Sequence, residues 1–551
     1  MVEGANAMTA SQDRRGRVEV RREWRLMSAL LLICNLIVFA GCGGGGGGGG
    51  TIIARGNVDG YVYEPITGSG KLVLSNQDTP PDASLQPSVQ AQVAVINAGI
   101  ADVTDSAGKY LLVNVPAGIQ TLLFSKNGFD PVSLPITVTA NATTTVPIER
   151  KWTVMVFLNA DDDGSNGLEH FGIDDVNEME LAGSSDSVAI LVQMDRIGTV
   201  GTDTSNGDWT DTRRYLVDYD PTFTPGQTLN GMGSGDRTIR STRLDNQPAP
   251  LGNGVGLGEL NMGDWQTLRD FIEYGKSNFP APNYAVVIWD HGSGIQDWGR
   301  GNVQKQVRGV SFDDTEFGEF IATHELDNAL QTVAPLDIVA FDASLMQMMG
   351  VANQIRTHAG LVVGSEESPP GEGFPYHRWL TELANNPFMT SEQLATTICQ
   401  EATAEVGGKG GESTQSALRT SQLSNLRNKI DAFASLLREH KNTHASELQQ
   451  ARDEAKSYAN PEFKDLHHYA ELMKTLVSNV LIQDAATDVQ NALQSAVLVN
   501  ATANISNSNG VSIWIPDPWP GLAESNDMVS YKKTDFAVTT QWDEWLIEQI
   551  Y

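Results

Sequence analysis

Two apolar runs that stop in chemically active residues constrain this chain more than any other feature. Asn283-Tyr-Ala-Val-Val-Ile-Trp-Asp-His-Gly-Ser293 reaches His291, and Leu336-Asp-Ile-Val-Ala-Phe-Asp-Ala-Ser-Leu345 reaches Ser344. Short runs rich in Val and Ile, interleaved with helical patterns, read as buried parallel strands. Reactive groups gather at the carboxyl ends of such strands in open α/β sheets. His291 and Ser344 are therefore candidates for one shared site.

The same alternation runs from Trp152 onward and predicts an α/β domain with a largely parallel sheet. Strands are expected at 152–158, 187–194, 284–290, 336–341 and 361–365. Between the second and third, the Gly-rich polar region 197–261 is expected to carry a hairpin (Arg213 to Tyr219) and substrate-facing loops. Asp264 is placed to cap a helix over Trp265 to Lys276, with Pro280 just beyond it. After residue 400 the pattern is mostly helical, as over Ser421 to His440 and Asp465 to Leu476, before a closing strand at 511–515.

Several segments, in order, are similar to the clostripain family of cysteine endopeptidases over roughly 152–551. They include Trp152-Thr-Val-Met-Val-Phe-Leu-Asn-Ala160, Val176-Asn-Glu-Met-Glu180, Asn261 to Asp270, the His291 motif, Gly309 to Thr315, Gly364 to Phe374, Asn509 to Pro516 and Trp542-Asp-Glu-Trp-Leu546. The resemblance implies a caspase-like sheet with flanking helices. It also implies that His291 moves the proton in acyl transfer, work suited to a group titrating near neutrality. The family carries its nucleophile in Asp-Ala-Cys-Leu-Met; this chain reads Asp342-Ala-Ser344-Leu-Met346. A hydroxyl stays protonated at neutral pH, so Ser344 needs a strong base and usually a third group to hold that base. No Gly-x-Ser-x-Gly elbow surrounds it. The serine thus implies weak or absent turnover.

By the same resemblance Asp342 is the acidic base of a pocket for Arg or Lys, with a geometry that favours guanidinium. Read from its residues alone, it caps the loop after the strand. Gly292 and Ser293 are candidate oxyanion donors, and Ser365 and Glu366 belong to a segment resembling the pocket-lining loop. Arg300, Lys305 and Arg308 are candidate self-cleavage sites, or simply an exposed basic loop.

Ahead of this domain, residues 1–41 read as a signal peptide: six arginines precede an apolar run, Leu26 to Ala40, too short for an ordinary membrane span. Val38-Phe-Ala-Gly-Cys42 resembles a bacterial lipoprotein box, implying acylation of Cys42, with an uncleaved anchor as the alternative. Gly43 to Gly50 make a flexible tether of about 15 Å, so 42–53 would hold the body just off a membrane, in the outer membrane or at the cell surface. Residues 54–149 alternate at period two and predict a β-sandwich. Thr104 to Tyr110 and Asn114 to Gly118 resemble the carboxypeptidase regulatory-like module, with Gly108 expected in a hairpin. It carries no catalytic constellation and reads as a spacer.

The formal charge is −31 over 551 residues, which disfavours nucleic acid and attracts basic peptides, or serves solubility alone. Of three cysteines, Cys34 lies in the apolar N-terminal run, Cys42 opens the tether and Cys399 lies on an amphipathic helical stretch, so neither a disulfide framework nor zinc spacing is present and Cys399 reads as a core thiol. No cofactor is required by any motif. Asp161-Asp-Asp-Gly-Ser-Asn-Gly167 invites a calcium reading but fails the EF-hand spacing, and Asp313-Asp314 is similar, so no ligand is assigned although some clostripain-like enzymes use calcium. His467-His468 with Glu471 lacks zinc-protease spacing. Three functions stay open: an Arg/Lys endopeptidase with a serine nucleophile, a pseudo-peptidase binding basic peptides or partner proteins, and a surface adhesive protein.

Overall fold

The computed structural model describes residues 54–549, apart from 67–69, 76–84, 97, 139, 147–149, 163–166, 186, 199–202, 248–250 and 296–308. Cys42 and its glycine run, and Arg300, Lys305 and Arg308, lie outside the described residues. The chain divides into two compact units between Pro147 and Ile148.

The first unit is all β. A five-stranded sheet centres on Arg55–Pro65, and a four-stranded sheet holds Gln92–Val95, Ile100–Val103, Gly118–Ser125 and Val132–Val138. Along Arg55–Pro65, Gly56, Val58, Gly60 and Val62 are buried at every second position, the period a pleated strand imposes. Gly108 adopts φ +78, and a Cβ there would lie 2.3 Å from the Val62 carbonyl oxygen. The turn it makes is not the expected hairpin. It passes the chain from Ile100–Val103 in one sheet to Lys109–Pro116, which pairs with Arg55–Pro65 in the other.

The second unit is built on a nine-stranded sheet. Its strands are β1 (Trp152–Ala160), β2 (Val188–Arg196), β3 (Arg213–Leu216), β4 (Thr242–Arg243), β5 (Asn283–Trp289), β6 (Leu336–Asp342), β7 (Ala359–Gly364), β8 (Ser413–Arg419) and β9 (Val497–Ala503). The spatial order is β4-β3-β2-β1-β5-β6-β7-β8-β9. The five central strands, β2-β1-β5-β6-β7, are parallel, and the flanking strands on both sides run antiparallel. This is the mixed α/β sheet with flanking helices that the caspase-like resemblance implies.

Two cores form because alternate residues of each strand face opposite sides. Met155 and Phe157 of β1 enter one core with Val286 and Ile288. Val154, Val156 and Leu158 enter the other with Ala285 and Val287. Each fully buried large side chain contributes roughly 1.5–3 kcal/mol, against about 0–1 for a surface ion pair. The cores hold the sheet. Cys399 is part of one of them, with no exposure, and burial pushes its thiol far above the ordinary range.

Two details differ from expectation. Arg213–Leu216 does not close a hairpin with Tyr219; it adds to β2 and then receives Thr242–Arg243. Ser512–Trp514 stays out of the main sheet and pairs with Phe463–Asp465, while β8 and β9 supply the edge.

Candidate active site

Chain order reverses between β1 and β5: β2 follows β1 on one side, and β5, β6 and β7 extend the other. The carboxyl ends flanking such a reversal splay apart and leave a crevice. Here the crevice is a cavity of about 560 Å³, whose lining includes Trp289, His291, Asp342, Ser344, Ser368 and Gly373.

Register places the two principal residues. Trp289 on β5 pairs with Asp342 on β6, so His291 and Ser344 each lie two residues past the same rung. The Asp290 N–H donates to the Asp342 carbonyl at 3.3 Å, tying the two ends together. Gly292 makes the approach close: a Cβ there would sit 2.3 Å from the Ser344 carbonyl oxygen. Leu345, just past Ser344, takes φ +64, a left-handed conformation that costs a branched residue energy. The chain thus turns sharply at Ser344 without the glycines that usually make such an elbow.

His291 does not stand alone. Its Nε2 lies 2.9 Å from Asp162 Oδ2, and the imidazole is 35% exposed while the carboxylate is 3% exposed. Asp162 follows the end of β1, so this pair spans the crevice at the point of reversal. With an ionised carboxylate accepting, Nε2 carries the proton and Nδ1 is left with a lone pair. Ser344 Oγ is 2.8 Å from Ser368 Oγ, in the loop after β7.

Asp342 belongs to the cavity lining, yet it is also tethered. Both its oxygens accept from the Phe374 N–H, at 3.1 and 3.0 Å, and Oδ2 accepts from the Tyr376 hydroxyl at 2.9 Å. Burial pushes its carboxyl up to about 7, with the Glu178 charge adding to the rise and the Phe374 and Tyr376 bonds opposing it. Behind it, the buried Asp175 accepts from Trp289 Nε1 at 2.6 Å, and burial holds its carboxyl well above the usual range.

Three expected positions are placed elsewhere. Ser293 cannot aim its amide at the cavity, because that N–H donates to the Gly309 carbonyl at 3.0 Å and its Oγ accepts from Gly309 N–H. Ser365 and Glu366 are absent from the cavity lining. Each is 1% exposed. They turn inward at the end of β7, Ser365 Oγ to Thr414 Oγ1 and Glu366 to Ser508 and the Gly510 N–H. Ser368 to Gly371 take the lining role instead.

The clostripain-family model of C11 peptidases matches residues 156–549. The chain belongs to the clostripain family. Clostripain of Hathewaya histolytica is 26% identical over 243 residues, covering 42% of this chain and 41% of its own length, so the match spans less than half of that relative. A secreted C11 cysteine protease of Bacteroides thetaiotaomicron, solved with an irreversible peptide inhibitor, shares the fold at TM-score 0.50 and 20% identity, covering 72% of this chain and 99% of its own. An inactive zymogen C11 protease of Parabacteroides distasonis aligns with TM-score 0.50 and 17% identity over 71% of this chain and 98% of its own.

Within this clostripain-family domain the residue that sequence reasoning missed is Asp162. Its signal was available, since it lies at the carboxyl end of the first parallel strand, but Asp161 to Gly167 had drawn attention as an ion-binding loop. A second missed group is Asp195. Asp161, Asp195 and Asp313 each present a carboxylate oxygen within 4.8 Å of the others.

Proposed function

We propose that this protein is an endopeptidase cutting after arginine or lysine, with Ser344 as nucleophile, His291 as base and Asp162 holding the base. The observation that carries the reading is the buried Asp162 carboxylate on His291 Nε2. A serine nucleophile needs such a partner, whereas a cysteine thiolate can do without it. Removing the acid from a serine triad costs about 10⁴ in kcat, because the imidazole then takes the wrong tautomer.

In this reading Ser344 Oγ leaves Ser368 by rotating its hydroxyl and attacks the scissile carbonyl carbon. Its proton passes to His291 Nδ1, and the imidazolium is stabilised by Asp162. The same proton is then given to the departing amine, leaving an acyl-serine that water hydrolyses by the reverse path. The Gly292 N–H is the candidate donor to the developing oxyanion. Asp342, an acid in the cavity lining, would pair with the guanidinium or ammonium of the residue before the cut. Export and lipid attachment through Cys42 complete the proposal.

One observation favours a second reading. Ser344 Oγ is engaged by Ser368 rather than by the imidazole. If that bond persists with substrate, the site binds basic peptides without cutting them. Incubating the full chain with Arg- and Lys-containing fluorogenic peptides separates the two: turnover that Ser344→Ala and His291→Ala both abolish supports the peptidase, and saturable binding without turnover supports the pseudo-peptidase.

A further inference from the structure

We infer that Asn230 is a substrate-binding residue, its side-chain amide donating from Nδ2 to a main-chain carbonyl of an extended peptide in the cavity that Ser344 also lines. On the peptide-binding reading of that cavity, on which this rests, the site recognises main chain as well as a basic side chain.

An extended peptide in a cleft is held largely by main-chain hydrogen bonds, and a carbonyl taken from water without a donor is costly. The wall formed by residues 368–373 cannot supply such donors. Pro369 and Pro370 carry no N–H. The Ser368 N–H donates to Glu367 Oε1 at 2.9 Å, and the Gly373 N–H to the Pro370 carbonyl at 3.1 Å. The Gly371 N–H donates to Asn230 Oδ1 at 2.8 Å. Several side-chain groups of the lining are committed as well: Trp289 Nε1 to Asp175, His291 Nε2 to Asp162, and the Ser344 and Ser368 hydroxyls to one another.

Asn230 makes up for this. An amide side chain both accepts and donates. With Oδ1 fixed by the Gly371 N–H, Nδ2 is the donor end, and it makes no hydrogen bond among the described residues. Asn230 is exposed and belongs to the cavity lining. Its side chain takes up one loop amide and presents another donor in a place that a ligand can reach.

The neighbouring structure holds this residue in position. Asn230 stands in the turn of a short hairpin, Phe223–Thr224 with Ser234–Gly235. Its φ is +53, a left-handed conformation that asparagine tolerates better than most residues. Its own N–H donates to Glu372 Oε2 at 2.8 Å, so that with the Gly371 bond it grips the loop reciprocally. Lys409 pairs with the other Glu372 oxygen at 3.3 Å. At the base of the hairpin, Gly233 N–H and Arg237 Nε each donate to Asp174, both at 2.6 Å. A donor fixed before the ligand arrives loses little freedom on binding. Among the described residues, the other lining side chain with an N–H to offer is His170, whose ring packs on Phe171 with centroids 4.0 Å apart.

The test reads binding without turnover, on the full chain carrying Ser344→Ala. A fluorescein-labelled tetrapeptide with one arginine is titrated by anisotropy, beside versions in which each carbonyl in turn is a thioamide, a weaker acceptor. Adding Asn230→Ala should weaken binding of the all-amide peptide by about three- to tenfold. At one carbonyl the thioamide should weaken binding to the parent chain, yet weaken it no further once Asn230→Ala is present, as expected of two partners in one bond. Asn230→Asp, which keeps an acceptor for the Gly371 N–H and removes the donor, should lose the same coupling. Unchanged affinity in both variants, or additive losses at every carbonyl, would overturn the role of Asn230. Coupling that appears with His170→Ala instead would overturn it too. A parent chain that binds no peptide at all would overturn the peptide-binding reading itself, an outcome distinct from binding that is indifferent to Asn230.

Discussion

Asp162 Oδ2 and His291 Nε2 are 2.9 Å apart, joining residues 129 positions distant across the reversal point of a parallel sheet. In the proposed serine mechanism this carboxylate orients the base, a partner that the motifs around His291 and Ser344 do not reveal. It gives the first prediction. Asp162→Asn should lower kcat on an Arg peptide by about 10³–10⁴ with little change in KM. An equal rise in KM with kcat unchanged would mean that Asp162 serves binding, not orientation of the base.

Asp342 predicts a pH dependence with two opposite signs. Its carboxyl is raised to about 7 by burial, faced by Glu178, Asp175 and Tyr376, with His377 paired to Glu178. The fold therefore favours its protonated form: that contribution to stability is complete below about pH 4 and is lost as pH rises through about 7. Capture of an arginine side chain needs the ionised form, so peptide affinity should rise, by at most about tenfold per unit, from pH 5.5 to 7 and then level. Titrating a fluorescent Arg peptide against wild type and Asp342→Asn checks this. Identical pH profiles for the two would remove Asp342 from the pocket.

Two glycines on the same unit should respond oppositely to alanine. At Gly292 the new Cβ would meet the Ser344 carbonyl oxygen at 2.3 Å, and backbone cannot yield cheaply. Gly292→Ala should cost about 1–3 kcal/mol in urea unfolding. At Gly350, inside the helix Met349–Ile355, the nearest atom to a Cβ would be 3.5 Å away. Gly350→Ala should gain about 0.5–1 kcal/mol.

The parallel strands were legible because Val and Ile runs such as Tyr284 to Trp289 carry the signal on their own. β8 was not, because Ser413-Thr-Gln-Ser-Ala-Leu-Arg419 has no apolar run. Ser416 on it is buried but bonded, its Oγ to the Gly510 carbonyl and its own carbonyl to Gln347 Nε2. The site was half legible for a related reason. Strand ends mark His291, Ser344 and Asp162 locally, whereas Ser368 and Asp195 acquire meaning only from strand order. Asp161 and Asp313 each attracted an ion-binding reading in sequence, and folding joins them through a third acid hidden in β2. Ser365 and Glu366 were misplaced because a segment can resemble a pocket loop while its first residues turn inward.

Anchoring rests on Cys42, which precedes the described residues. Cells grown with a labelled fatty acid should label the wild-type protein and leave Cys42→Ala unlabelled. Equal labelling of both would reject lipid attachment at that residue.

The nucleophile decides the account. Steady-state cleavage of one Arg-containing fluorogenic peptide should be compared across wild type, Ser344→Ala, His291→Ala and Ser344→Cys, all as full chains. Wild type should turn over, and both alanine variants should fall by at least about 10³. Ser344→Cys should retain or exceed wild-type cleavage, because a thiolate forms readily beside His291. A silent wild type that binds the peptide, with cleavage appearing only in Ser344→Cys, would contradict the serine mechanism and establish a peptide-binding pseudo-peptidase.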